Sequence, residues 1–285
     1  MKTILLLICV VLLIPGCVQT LAIRTVGGIM DYGLEAFNEE GDLQLARESL
    51  GANLKLIEAL LKGDPENEKL LLLASQGYSA YALAFVEDDD PARAHMLYKR
   101  ARDYGLRVLN QKPEFRAALG KDVDSFRAAV TNFSGDEIPG IFWTAFAWGA
   151  YVNTGRADIA VLADLPRVNA LMEFAVRRNP SYYYGGPHLY FGSIEGSMPP
   201  MLGGKPDKAK EHFEKCLQIN GGRFLMTQVY YASTYAVQVQ DRDLFESLLK
   251  TVLDAPDDIL PEARLPNAVA KLKAERWLSR IDELF

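Results

Sequence analysis

The sequence predicts an all-α protein, a superhelical array of helix pairs. Three observations carry that expectation. Apolar residues recur at three- and four-residue steps through nearly all of the chain after residue 28, the period of one buried helix face. Asp, Asn, Gly and Pro clusters punctuate that pattern where helices start and stop. Strand signals are weak, while the apolar fraction of 49% is that of a globular chain.

The elements follow in order. Leu43, Ala46, Leu50, Leu54, Ile57 and Leu61 share one face of a helix over 43–61, and Gly63-Asp64-Pro65 stops it. A second helix over 66–86 is apolar almost all round (Leu70 to Ala74, Tyr78, Tyr81, Phe85), the composition of a buried helix. Asp88-Asp89-Asp90-Pro91 starts a third, because carboxylates ahead of a proline at the first helical position favour a helix start. The triplet lacks the Asp-x-Asp-x-Asp-Gly spacing of a calcium loop. Ala94, Leu97, Ala101, Tyr104 and Val108 form one stripe along this helix, which ends near Pro113. Helices are expected next at 114–133 and 137–153, then a loop or short turn over 155–165. Further helices are expected at 166–178, 187–197, 206–219, 223–239, 242–254 and 262–284.

Paired helices of this length suggest a repeat. The tetratricopeptide pattern sets a small residue, an aromatic or aliphatic four later, a small one three later, and a proline five after that. Val168, Met172, Ala175 and Pro180 fit the spacing, as do Leu244, Leu248, Thr251 and Pro256, and Asn53, Ile57, Leu60 and Pro65. Ala209, Phe213 and Cys216 fit the first three places, with Gly221 where proline would stand; Ala94, Tyr98 and Ala101 also fit three. These matches are degenerate, and they support cryptic tetratricopeptide-like repeats.

Several chemistries are excluded. A net charge of −6 does not suit a nucleic-acid binder, which needs a basic face. The histidines are His95, His188 and His212, with no His-Glu-x-x-His, and Cys216 has no cysteine at zinc-ligand spacing. His95 and His212 read as surface residues. Gly203-Gly204-Lys205 is followed by Pro206 where a phosphate loop needs Ser or Thr. No catalytic constellation, metal site or cofactor is expected.

Aromatic clustering stands out instead. Phe142-Trp143, Phe146 and Trp148 share one short helix, and Tyr182-Tyr183-Tyr184-Gly185-Gly186-Pro187-His188-Leu189-Tyr190-Phe191 follows the Asn179-Pro180 stop. Such rings either fill gaps between stacked helices or line a groove for an apolar or amphipathic ligand, with hydroxyls as orienting groups. On the second reading the ligand-binding candidates are Trp143, Phe146, Tyr182, Tyr184, His188 and Tyr190.

The N-terminus carries a separate signal. Met1–Gly16 has Lys2, an apolar run from Ile4 to Ile14, and Pro15-Gly16 before Cys17. The run is shorter than the roughly 20 residues a spanning helix needs. The small residue followed by Cys17 resembles the lipobox of bacterial lipoproteins. That likeness implies diacylglycerol on the Cys17 sulfur and cleavage before it. The expected organisation is a signal peptide (1–16), a lipidated tether (17–28) and a single α-helical repeat domain (29–285). Cys9 leaves with the signal and Cys17 carries lipid, so Cys216 has no disulfide partner.

The ordered set of motifs resembles a family. It comprises the lipobox, Phe142 to Ala150, Asp164-Leu165-Pro166, Tyr184-Gly185-Gly186-Pro187-His188-Leu189, and Pro199-Pro200-Met201-Leu202-Gly203-Gly204 leading into Lys208 to Phe213. Together these look like the T component of tripartite ATP-independent periplasmic (TRAP) transporters. The resemblance implies a periplasmic homotrimer that associates with the solute-binding (P) component and aids uptake of a hydrophobic or carboxylate-bearing solute. It brings no catalytic residues. Val18, not Asp, follows Cys17, which favours the inner leaflet of the outer membrane. The alternatives are a hydrophobic-ligand or lipid chaperone acting without a transporter, and a tetratricopeptide-type envelope-assembly adaptor.

Overall fold

The computed structural model describes residues 32–285, so the expected signal peptide and tether, Cys17 included, lie outside the described residues. The fold is all-α, and no strand occurs among the described residues. A short helix α1 (32–38) precedes α2 (Leu43–Gly63), α3 (Glu68–Phe85) and α4 (Pro91–Leu109). Then come α5 (Pro113–Ala118), α6 (Val123–Val130), α7 (Ile138–Thr154), α8 (Ile159–Leu162), α9 (Leu165–Arg178) and α10 (Tyr182–Ser197). The chain closes with α11 (Pro206–Asn220), α12 (Met226–Tyr230), α13 (Arg242–Asp254), α14 (Arg264–Leu278) and α15 (Ile281–Leu284).

Local chemistry explains most boundaries. Side-chain oxygens of Asp42, Asn67, Asp90, Asp122 and Asp241 accept first-turn backbone N–H groups and cap α2, α3, α4, α6 and α13. Three expected helices are interrupted. The one over 114–133 splits into α5 and α6, because Gly120 intervenes and Asp122 caps a new start. The one over 223–239 passes from α12 into a π-helical segment, Tyr231–Ala236. The one over 262–284 opens with a tight turn at Pro261–Ala263 and breaks before α15. The expected loop over 155–165 contains α8.

Successive helices pack on one another: α2 on α3, α3 on α4, α4 on α7, α7 on α9, α10 on α11, and α13 on α14. The last partner is the first, since α14 also touches α2. One core cluster accordingly holds Ala46, Leu50 and Leu54 of α2 together with Val269, Ala270 and Ala274 of α14. In an open solenoid each repeat meets only its neighbours; here the two ends of the array share a core. The acidic α3–α4 turn is tied to α14 as well. Lys273 Nζ of α14 donates to Glu87 and Asp88, which lie 186 and 185 positions away, and Arg276 pairs with Asp88 and Asp89.

The repeat matches divide into two groups. Val168, Met172 and Ala175, then Ala209, Phe213 and Cys216, then Ala94, Tyr98 and Ala101 are all at most 1% exposed. On α13 the buried residues are Phe245, Leu249 and Val252, one position beyond the expected triad. On α2 they include Leu54, Ile57 and Leu61, so Asn53 and Leu60 fall off the buried face.

Candidate functional site

The Asn179-Pro180 stop forces a turn before α10, and the chain makes it in an unusual way. Tyr183 (φ 45°, ψ 60°), Tyr184 (φ 59°, ψ 27°) and Gly185 (φ 87°, ψ 21°) are consecutively left-handed. Gly185 tolerates this freely, but each L-residue with a side chain pays roughly 1–2 kcal/mol. Right-handed helix resumes after them, close to the expected start at 187.

The turn sets Tyr182 and Tyr183 against α7 and Tyr184 against Phe224. Trp143 meets Tyr183 edge-on with centroids 4.8 Å apart, and Phe142 meets Tyr182 at 5.1 Å. Phe146 packs on Trp143 at 5.5 Å, while Tyr184 stacks on Phe224 at 4.7 Å. Phe142 seats itself against Gly186, where an added Cβ would come within 2.6 Å of its ring. Of the expected ligand-binding residues, Trp143, Phe146, Tyr182 and Tyr184 therefore join one aromatic network. The indole Nε1 of Trp143 is buried beside the Tyr182 hydroxyl. The Tyr182 hydroxyl is raised by burial, with Trp143 a smaller opposing influence.

The other two residues lie off this network. His188 Nδ1 stands 2.9 Å from His212 Nδ1 on α11. The Tyr190 hydroxyl donates to Asn169 Oδ1 of α9 at 2.7 Å. Trp148 also turns away, its Nε1 donating to Asp164 Oδ2 at 2.9 Å. Neither His95 nor His212 is a bare surface residue. His95 is half-buried, stacks on Tyr151 at 4.4 Å and approaches Thr154 Oγ1 at 3.1 Å.

Two residues to which the sequence assigned no part in the site, Asn220 and Cys216, hold the left-handed turn. Asn220 Nδ2 donates to the Tyr184 carbonyl at 3.1 Å and to Thr227 Oγ1 at 3.0 Å. The Cys216 thiol donates to the Tyr184 and Gly185 carbonyls at 3.5 and 3.4 Å. Burial pushes that thiol up to about 11, so it stays protonated and a donor. The available signal was Asn220-Gly221-Gly222, a polar residue at a helix end before two left-handed glycines. Asn220→Ala leaves the Tyr184 carbonyl without its amide donor in a buried place. A loss of about 1–3 kcal/mol in urea unfolding is expected; an unchanged midpoint would show that the turn needs no clamp.

Burial raises the hydroxyls of Tyr183, Tyr190 and Tyr230 above the ordinary phenol range. No group of three or more metal-ligating side chains occurs among the described residues.

A family described as TRAP transporter T-component matches residues 39–285. A chain described as an uncharacterized protein of Treponema pallidum (strain Nichols) is 25% identical over 258 residues, 85% of this chain and 80% of that one. With a match running through nearly every described helix, the chain belongs to the TRAP transporter T-component family.

Proposed function

We propose that this chain is a lipid-anchored, non-enzymatic T component that binds the solute-binding (P) component of a TRAP transporter. On this reading it holds a hydrophobic or carboxylate-bearing ligand against its aromatic network. Family membership associates the chain with a TRAP transporter, and the family is one of transporter components rather than enzymes. It also suggests a periplasmic or membrane-associated location. Anchoring through Cys17 at the inner leaflet of the outer membrane, a homotrimer, tetratricopeptide-like pairing and a single domain over 29–285 belong to the same proposal. They are supported by the lipobox-like Met1–Cys17 segment, the motif resemblance and the three buried triads.

One observation carries the ligand part: the left-handed turn. Backbone strain persists only where surroundings over-determine it, and such sites cluster at ligand clamps. Here a buried thiol and amide maintain a turn whose main effect is to present Tyr182, Tyr183 and Tyr184 to Trp143 and Phe224.

Gentle cross-linking in native membranes, followed by purification of the chain, tests the partner. Recovery of a solute-binding protein is the expected result. Bound lipid alone, or outer-membrane assembly machinery, would overturn it in favour of a chaperone or an adaptor. For the ligand, Tyr184→Phe should weaken binding of the co-purifying ligand while the thermal midpoint stays nearly intact. A collapse of stability with normal binding by the folded remainder would mean that these rings are core and the site lies elsewhere.

A further inference from the structure

We propose that His188 and His212 form an acid-sensitive latch that keeps the left-handed Tyr183–Gly185 turn seated and releases it when both imidazoles take a proton. The inference stands on the seam between α10 and α11. His188 lies one helical turn beyond Gly185, and His212 one turn before Cys216. The histidine contact and the Cys216 contact to the turn are therefore consecutive rungs of the same seam.

The geometry fixes how many protons the pair can hold. The two Nδ1 atoms are 2.9 Å apart while the ring centroids are 5.1 Å apart. Since each ring atom lies roughly 1.1 Å from its centroid, both nitrogens fall near the line joining the rings. One Nδ1–H then points at the lone pair of the other. This arrangement suits a hydrogen bond and not a chelated metal, whose ligand lone pairs would converge to one side of that line. With no added proton, or with one, the bond survives. With both imidazoles charged, two N–H groups oppose each other at 2.9 Å and the contact must open.

The surroundings favour loss of charge. Burial lowers the proton affinity of His188, with His212 and Lys215 adding to it, to a pKa of about 4. Burial also lowers that of His212; Lys208 adds to this, while Glu195 and Glu211 work the other way. Glu195 is itself drawn towards Lys205 at 3.8 Å, and the Phe191 ring closes one side of His212. The folded-state affinity lies below the unfolded value of 6.5, so the unfolded chain binds more protons under that pH. The latch is fully closed above 6.5 and loosens as the pH falls towards about 4.

What opening does follows from the strain. The turn costs energy to maintain, so opening the α10–α11 seam next to its Cys216 and Asn220 contacts lets Tyr183 and Tyr184 leave the left-handed region. Their rings then part from Trp143 and Phe224. The resulting acid-triggered release of ligand rests on the proposed role of the aromatic network; the latch itself does not.

The test uses the protein labelled with ¹⁵N-tryptophan. The Trp143 indole N–H and the imidazole Cε1–H signals are followed by NMR from about pH 8 to about pH 4. The expected result is a single transition in the Trp143 signal, coincident with the coupled titration of His188 and His212. His212→Gln and His188→Gln, which keep a hydrogen-bonding group but take no proton, should each abolish it. A Trp143 signal that never moves would overturn the latch, as would the same transition in both variants, or either histidine titrating independently near 6.5. Ligand affinity measured alongside separates the two ideas. An NMR transition without any change in affinity keeps the latch and sinks the ligand role of the network.

Discussion

Phe213→Ala lowers the unfolding free energy by about 3–5 kcal/mol, the range for emptying a fully buried aromatic site. Phe213 is 0% exposed. Its ring stacks on Tyr231 at 4.6 Å, and it lies over Gly192 of α10. The lost ring would leave a void between the Tyr231 ring and Gly192, and the glycine has no side chain with which to fill it. Lys210 supplies the control. It is exposed and pairs only with Glu214 at 3.9 Å, so Lys210→Ala should stay within about 0.5 kcal/mol. Urea unfolding of the three proteins decides the matter. Equal midpoints for Phe213→Ala and the parent would mean that α11 presents a different face to its neighbours.

Lys273→Met should cost about 2–3 kcal/mol at neutral pH. Lys273 is 5% exposed and its Nζ lies 2.8 Å from Glu87 and 2.9 Å from Asp88. Burial works to lower its proton affinity, but Glu87 and Asp88 outweigh it and raise the pKa. Removing one partner of a buried pair typically costs about 3–5 kcal/mol. The Glu87 and Asp88 side chains are 22% and 36% exposed, and solvent screening brings the expectation down.

The pH dependence has a definite sign. Folding raises the proton affinity of Lys273, so the stability it contributes is fully present below its ordinary value of 10.5 and is lost as pH rises through the raised folded value. The penalty should then be full at neutral pH and shrink as pH rises beyond 10.5. The Tyr98 hydroxyl, 2.5 Å from Glu87, remains as a partner. Urea midpoints of variant and parent at the two pH values measure the difference. A gap that does not narrow in alkali would show that Lys273 acts through packing and not charge. The same substitution loosens the junction between α14 and the α3–α4 turn, so protection of α14 amides from hydrogen exchange should fall with it.

Much of the local chain was legible. The caps at Asp90 and the stop at Asn179-Pro180 work through contacts within one turn, which sequence spacing encodes directly. The buried triads on α4, α9 and α11 were placed correctly because a small residue three or four positions from a large one leaves one choice of face. On α13 the expected triad missed by one residue. Leu244 and Phe245 are both apolar, and only the neighbouring helices decide which points inward. The candidate site was legible in part. The tyrosine cluster marked the right segment, but His188 and Tyr190 diverge from Trp143 because three left-handed residues turn the chain between them.

By itself the sequence determined the all-α class, most helix limits and the family, since all three rest on local periodicity, punctuation and ordered motifs. The tertiary structure alone decided the rest. It joined α14 to the α3–α4 turn through Lys273, because an ion pair between residues 186 positions apart has no local signature. It paired His188 with His212 and set Cys216 and Asn220 beneath the Tyr184 carbonyl, because those contacts depend on how closely α11 approaches α10. It also interrupted α12 with a π-helical segment, where packing against α10 and α13 overrides the intrinsic preference of each residue for an ordinary helix.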